Sequence, residues 1–291
     1  MTDAIYAILH NMVEIYSKQI PTMILLAMGF TLLSAWESQK ASPGKVWWRN
    51  PGLATDLTYG LVHAFAGQYF KLPVVIFIFV LLAQIMKPDQ IDDLFKNGNG
   101  PLSRLPFWWQ VAIYVAGTDF CLYWIHRVFH GGAMWRFHAA HHSATEVDWT
   151  TTYRFHPVNL MLQPMLVSVV MLTLGIKLEV MAFVVPFDIV SAAFVHANVN
   201  WTLGPLKYVI ATPVFHRWHH TMPEEGGNSN FAPTFSLFDY VFGTFYMPEG
   251  KLPQVFGIDD HHHPEGYLAQ LLYPFKKKTA ESAAPAIVPA E

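Results

Sequence analysis

Three short clusters of histidines are the residues of this chain best suited to do chemistry. They comprise His126 and His130, then His138, His141 and His142, and finally His216, His219 and His220. Positions i, i+3 and i+4 project from one side of an α-helix, so each cluster presents its imidazoles to one point. Neutral imidazoles suit borderline transition metals, and one ion takes only about four to six ligands. The clusters together therefore predict two metal ions, and the single cysteine, Cys121, excludes a thiolate site.

Three further residues are candidate ligands of the same metals. His196 lies near the end of an apolar segment, and this end is expected on the same side of the membrane as the clusters. Asn200 lies four residues later and offers an amide oxygen that can bind a metal directly or through water. His156 precedes Pro157, which disfavours a helical position, and is predicted to be either a ligand or a residue that supports one. The other histidines are expected to be structural or solvated: His10, His63, His261, His262 and His263.

Acidic and phenolic side chains near these ligands are expected to orient them. Asp119 and Tyr123 precede His126 by seven and three residues and share its face of a predicted helix. An aspartate within an apolar helix is costly unless it has a partner, and a carboxylate or phenol beside a liganding imidazole fixes its orientation. Asp188 lies eight residues before His196 and is predicted to pair with it or with another ligand.

The composition indicates a membrane protein. Only 13% of the 291 residues are charged and 53% are hydrophobic, whereas soluble domains are about a quarter charged. The net charge of −3 supplies no basic surface for nucleic acid, so no nucleic-acid partner is expected.

Apolar segments separated by polar ones predict an all-α integral membrane bundle of about four to five spans. A long helix over 106–130 is expected to end in the first histidine cluster. The segments 158–176 and 179–198 predict a helical hairpin that enters the membrane and returns. The clusters then share one face, where they form a helical cap around the metal site. We expect one domain, 1–275, with its histidine-bearing core at 106–275 and a disordered tail at 276–291.

The first third of the chain contributes two more apolar stretches. Residues 21–36 predict one span, and residues 53–86 predict a helix that is broken or bent where Lys71 and Pro73 interrupt it. Residues 87–104 carry charges of both signs and an N-G-N-G-P run, which predicts a loop.

Basic residues on the face of the clusters predict that this face is cytoplasmic. The 37–51 loop is expected on the same side and the N-terminus on the opposite side. A Lys276–Lys278 run that is not at the extreme C-terminus favours a bacterial inner membrane over the endoplasmic reticulum. The basic residues of this face are Arg127, Arg136, Arg154, Arg217 and Lys276 to Lys278.

Taken together, these residues resemble the fatty acid hydroxylase/sterol desaturase superfamily. The motifs are D-x3-Y-x2-H-R-x2-H from Asp119, H-x2-H-H-S from His138, HANVN from His196 and H-R-x-H-H-T from His216, followed by NSNFAPTFSLFDYVFGTFY. The resemblance covers 106–275 and implies an integral membrane non-haem di-iron oxygenase with a cytosolic metal site. It implies nine ligands: His126, His130, His138, His141, His142, His196, His216, His219 and His220.

The resemblance also implies a supporting role for Asp239 and raises a question at Asn200. Some members of the superfamily have a histidine where this chain has Asn200, and His156 is the candidate substitute. The implied reaction hydroxylates or desaturates a C–H bond of a lipid or sterol-like substrate with O₂. Electrons would come from an external donor, either a ferredoxin or a small haem protein with its reductase, because the chain has no cysteine set for an iron–sulfur cluster.

Two other classes of protein use similar residues. A metal transporter or store places ligands near the middle of the membrane, whereas these clusters follow the ends of the predicted spans. A membrane zinc hydrolase would use the same imidazoles to activate water.

Overall fold

The computed structural model describes residues 2–36, 46–84, 86–259 and 263–276. These residues form helices and no strand, with one isolated bridge between Thr221 and Phe256, so the prediction of an all-α fold is confirmed. The helices are α1 (Thr2–Trp36), α2 (Leu53–Ala83), α3 (Pro88–Asn97), α4 (Phe107–Phe129), α5 (Trp135–His142), α6 (Pro157–Leu174), α7 (Leu178–His196), α8 (Pro213–His219), α9 (Leu237–Val241) and α10 (Tyr267–Leu272).

The predicted hairpin is formed by α6 and α7, and α4 packs against both of them. Helix α6 begins at Pro157, where a missing backbone N–H costs no hydrogen bond, and ends at Gly175, whose φ of 89° is left-handed. Buried apolar side chains of the three helices form one core cluster, which includes Tyr114, Met171 and Val184. Burial of this core fixes how the three helices pass one another, and therefore where their ends lie.

The two ends of this three-helix unit have different partners. At one end Gly100 packs directly on the α6–α7 turn, and the Leu102 N–H donates to the Leu174 carbonyl at 2.9 Å. The other end carries the histidines, about 35 Å away along the 23 residues of α4. Helix α1 also ends there, since Phe30 stacks on Trp149 with ring centroids 5.5 Å apart.

The short segment 46–50, which is the described part of the 37–51 loop, lies at the histidine end as predicted. The Asn50 carboxamide donates to the Glu146 carbonyl at 2.8 Å, and the Trp47 ring meets Trp149 edge-on at 5.1 Å. Residues 37–45, His261, His262 and the tail from 277 onward lie outside the described residues.

One prediction about the first third of the chain is wrong. Residues 88–97 form a helix rather than part of a loop, because Pro88 suits a first helical position and the Gln90 side chain accepts from the Lys87 N–H at 2.9 Å. Helix α2 is continuous from Leu53 to Ala83, so of the two predicted forms, broken or bent, the structure contradicts the broken one.

Two helices of the described chain are long and apolar enough to cross a membrane. They are α6 and α7, with mean hydropathies of 1.7 and 2.0. Helix α1 contributes a shorter apolar run at Ile20–Leu33.

Candidate dimetal centre

Four helix ends deliver the nine predicted histidine ligands to one place. His126 lies on the last turn of α4 and His130 directly follows it, whereas His196 is the last residue of α7. The other six come from α5, α8 and the residue after α8. Helix α8 begins at the motif Thr212–Pro213, where the Thr212 hydroxyl accepts from the Phe215 N–H at 3.1 Å.

The nine imidazoles form two groups, in each of which the potential ligand atoms lie within 4.8 Å of one another. All are buried except His126, which is half-buried. The first group is His126, His130, His138, His142 and His219, and the second is His141, His196, His216 and His220.

The two groups are in contact with each other. The rings of His142 and His220, one from each group, stack with centroids 4.5 Å apart. The His138 and His141 rings lie 5.3 Å apart across the same boundary. This arrangement has room for one ion in each group and keeps the two sites adjacent.

In five of the nine rings, a backbone or amide oxygen fixes which nitrogen carries the proton. Nδ1 of His126 donates to the Phe231 carbonyl at 2.7 Å, and Nδ1 of His196 donates to the Ala192 carbonyl at 2.7 Å. Because a neutral imidazole has one proton, Nε2 in each such ring is a bare lone pair. The same pattern pairs His130 with Asn228, His141 with Arg154 and His219 with Ser229.

The bare nitrogens point at one another, which is unfavourable without a cation. Nε2 of His126 lies 3.1 Å from Nε2 of His219. In the second group, Nε2 of His196 lies 3.3 Å from Nε2 of His141. Nε2 of His130 is buried and has no hydrogen-bond partner, a cost that a metal ion removes. These donors therefore fit a pair of metal ions.

The electrostatics keep the imidazoles in their metal-binding form. Burial, followed by the neighbouring imidazoles, lowers the pKa of the cap histidines well below its usual value, so they are neutral at pH 7. The affected residues are His138, His141, His142, His216, His219 and His220.

Asp119 and Asp239 support the site through the backbone segment 231–235. Asp239 accepts from the N–H groups of Phe231 and Ala232 at 2.7 and 2.8 Å. Asp119 accepts from Thr234 and Phe235 at 2.7 and 2.8 Å rather than from an imidazole. Since the Phe231 carbonyl receives the His126 proton, both carboxylates act on His126 through this segment.

Tyr123 and Asp188 are placed differently from the sequence-based prediction. The Tyr123 hydroxyl lies 2.9 Å from the Thr244 hydroxyl and accepts from Arg127, and neither of these partners is an imidazole. Asp188 lines a cavity between α4, α6 and α7. The predicted partner of Asp188, His196, donates to Ala192 on its own helix instead.

His156 and Asn200 are not brought into either histidine group. His156 caps α6: its Nδ1 accepts from the Val158 N–H at 3.1 Å, and its Nε2 donates to the Leu271 carbonyl at 3.1 Å. Both ring nitrogens are therefore engaged with the backbone, which corrects the prediction of a ligand at this position. Asn200 is half-buried and lines a different cleft, together with Lys207 and Lys251.

Two arginines assigned to the charged membrane face are buried instead. Arg154 pairs with the buried Asp56 at 2.6 Å, and the Arg154 carbonyl accepts a hydrogen bond from Nδ1 of His141. Arg217 donates to the carbonyls of Val147 and His196. Burial lowers the pKa of Arg217 to about 10, which still leaves it charged at pH 7.

The structure adds three residues to the site that spacing alone did not reveal. The Asn228 side-chain oxygen accepts a hydrogen bond from Nδ1 of His130 at 2.6 Å. The Asn159 amide nitrogen lies 3.2 Å from Nδ1 of His138. Phe155 stacks on His141 with centroids 4.0 Å apart and shields that ring. A signal existed at Asn228, because asparagine tolerates the left-handed φ of 68° that the N-S-N turn requires.

The helical bundle places two adjoining histidine groups, each of which could hold a metal ion, at one end of long apolar helices. Residues 111–244 match the family model for fatty acid hydroxylases. Over this stretch, which is nearly half of the chain and carries all nine histidines, the chain is similar to the fatty acid hydroxylase family.

The curated relatives include lipid-modifying enzymes of several kinds. The ornithine lipid hydroxylase OlsE of Rhizobium tropici is 33% identical over 174 residues, or 60% of this chain and 52% of that protein. The alkylglycerol monooxygenase of Xenopus tropicalis is 30% identical over 70% of this chain and 44% of its own length. A Delta(7)-sterol 5(6)-desaturase of Leptosphaeria maculans is 25% identical over 59% of this chain and 46% of its length. The chain thus spans about half the length of these relatives, and no solved structure matches it.

Proposed function

We propose that the chain is a membrane-bound non-haem di-iron oxygenase that hydroxylates or desaturates a C–H bond of a lipid or sterol-like substrate. The observation that carries this proposal is the convergence of buried imidazole Nε2 atoms, 2.9 to 3.3 Å apart, in two adjoining groups. The relatives named as hydroxylases, monooxygenases and desaturases support the same class of reaction.

The nine histidines would hold two irons, with five in the first group and four in the second. A pair of irons supplies the reduction of O₂: with two electrons and two protons, one oxygen atom enters the C–H bond and the other leaves as water. The protein holds the ligands in a fixed tautomer, excludes water with residues such as Phe155 and positions the substrate carbon. The electrons would come from a ferredoxin or a small haem protein with its reductase.

In this proposal residues 1–275 form one membrane-embedded domain. Helices α1, α2 and α4 would accompany α6 and α7 to give about four to five spans. The histidine end would face the cytoplasm as a helical cap, in a bacterial inner membrane. A substrate would then enter from the bilayer, while the electron donor would dock from the water side.

Metal analysis of the purified chain tests the proposal. After reconstitution with ferrous iron, the wild-type chain should retain about two irons. His130→Ala and His220→Ala, one from each group, should retain fewer and lose turnover. His63→Ala is the matched control, because His63 lies on α2 among Tyr59 and Tyr267 rather than in either group.

Turnover with ¹⁸O₂ distinguishes the competing functions. An ornithine lipid and an alkylglycerol serve as substrates, with ferredoxin, its reductase and NADPH as the electron supply. An oxygenase incorporates ¹⁸O from O₂ or forms a double bond only when O₂ is present. A single tightly held zinc and oxygen-independent product would instead identify a hydrolase.

A further inference from the structure

A cavity of about 530 Å³ lies between α4, α6 and α7. Its lining includes Ala192, whose carbonyl accepts a hydrogen bond from Nδ1 of His196. It also includes Thr234, in the segment that positions His126. The cavity therefore borders the backbone that supports His196 and His126, one histidine from each group.

Most of the cavity wall is apolar, but one stretch of it is polar. Gln163 and Ser168 of α6 and Asp188 and Ser191 of α7 all line it. Between Glu179 in its first turn and His196 at its end, α7 carries no charged residue other than Asp188.

Asp188 differs from Asp119, which lines the same cavity. Both carboxylate oxygens of Asp119 accept backbone N–H groups. Asp188, in contrast, forms no hydrogen bond or ion pair with any other residue in the described part of the chain. An acidic side chain on an apolar helix is costly without a partner. The Asp188 side chain is exposed and lines the cavity, so a molecule that enters the cavity can reach its carboxylate.

We propose that Asp188 binds a hydrogen-bond donor, an ammonium or a hydroxyl group, on the lipid that occupies this cavity. Eight residues of helix separate Asp188 from His196, which places the carboxylate about 12 Å along the axis from the second metal group. If the proposed oxygenase function holds, this contact fixes which carbon reaches the metals, because it anchors the substrate at a set distance from them.

Binding of three matched probes tests the proposal without requiring turnover. The probes are tritiated hexadecylamine, hexadecanol and hexadecyl methyl ether, measured at equilibrium with the iron-loaded full chain in lipid nanodiscs. The wild-type chain should bind the amine and the alcohol about tenfold more tightly than the ether, as expected for one hydrogen bond to a carboxylate. Asp188→Leu should reduce this preference to within about twofold.

A second variant distinguishes the two donors and guards against misfolding. Asp188→Asn keeps an acceptor but no charge, so it retains alcohol binding in either case and loses amine binding if the ammonium is held by charge. Glu179→Gln is the control, since it removes an exposed acid from the same helix outside the cavity and should change nothing. An unchanged preference in Asp188→Leu, or no preference in the wild-type chain, would overturn the proposal. Because these probes are only bound and need not react, the binding result can be interpreted even if the oxygenase assay fails.

Discussion

At the scale of the residue, the position of one proton on each imidazole determines whether the site can bind metal. Five rings donate Nδ1–H to an oxygen, four of them to backbone carbonyls. These bonds raise the basicity of Nε2 and hold each ring at a fixed angle. The acceptors are therefore as much a part of the candidate site as the histidines.

Asn228 provides the side-chain acceptor in this set, and its replacement should weaken metal binding. Asn228→Gly tolerates the left-handed backbone but removes the oxygen that accepts from His130. We expect metal affinity to fall about 10–100-fold, measured by competition with a chelator. Asn228→Asp keeps the acceptor and should stay close to wild type. Equal affinities for the wild type and the glycine variant would show that this hydrogen bond does not matter.

His156 should behave as a helix cap and not as a ligand. Its Nδ1 accepts from the Val158 N–H, so His156→Ala should lower the free energy of unfolding by about 1 kcal/mol. The amount of iron per chain should remain that of the wild type. Thermal unfolding and metal analysis of one preparation check both statements. If His156→Ala retained one iron fewer than the wild type, His156 would be a metal ligand.

At the scale of the element, features that depend on local sequence could be predicted, whereas contacts between distant residues could not. The i, i+3, i+4 spacing identified eight of the nine histidines that the structure gathers, because that spacing is a property of one helix. The ninth, His196, was predicted from its place at the end of the hairpin. The Asn228 contact to His130 joins residues 98 positions apart, and no local pattern encodes it. Helix α3 was missed although Pro88 and Gln90 form a helix start, because the following N-G-N-G run predicts a turn.

The Arg154–Asp56 pair joins α2 to the turn before α6, and removal of one partner should be strongly destabilising. Both side chains are buried, and the Thr150 hydroxyl donates to the second Asp56 oxygen at 2.9 Å. Arg154→Met leaves a buried carboxylate without its partner, and we expect a loss of about 3–5 kcal/mol.

Chemical unfolding in detergent measures this loss. Arg49→Met is the control, because Arg49 is exposed and its replacement should cost no more than about 0.5 kcal/mol. The double variant Asp56→Asn with Arg154→Met should cost less than the sum of the single variants. Similar unfolding of all variants would mean that water solvates this pair.

At the scale of the whole molecule, the burial of two arginines removes part of the basis for assigning which side of the membrane the histidine end faces. Arg154 and Arg217 are internal, so they cannot contribute to the charge bias that orients a membrane protein. The orientation prediction then rests on the remaining basic residues of the histidine end, such as Arg136 and Lys276. The separation of the two ends is a stronger feature, since the Gly100 contact and the histidines lie at opposite ends of α4.

Cysteine labelling can read this orientation directly because the chain has one cysteine. In a Cys121→Ser background, Asn99→Cys places a thiol at the end near Gly100, and Asp259→Cys places one beyond the histidine groups; both positions are exposed. A membrane-impermeant maleimide applied to intact spheroplasts should label Asn99→Cys, whereas Asp259→Cys should react only after permeabilisation. The reverse pattern would put the metal centre outside the cytoplasm, where a cytosolic electron donor could not reach it. Labelling at both positions from outside would show that α4, α6 and α7 do not cross the membrane.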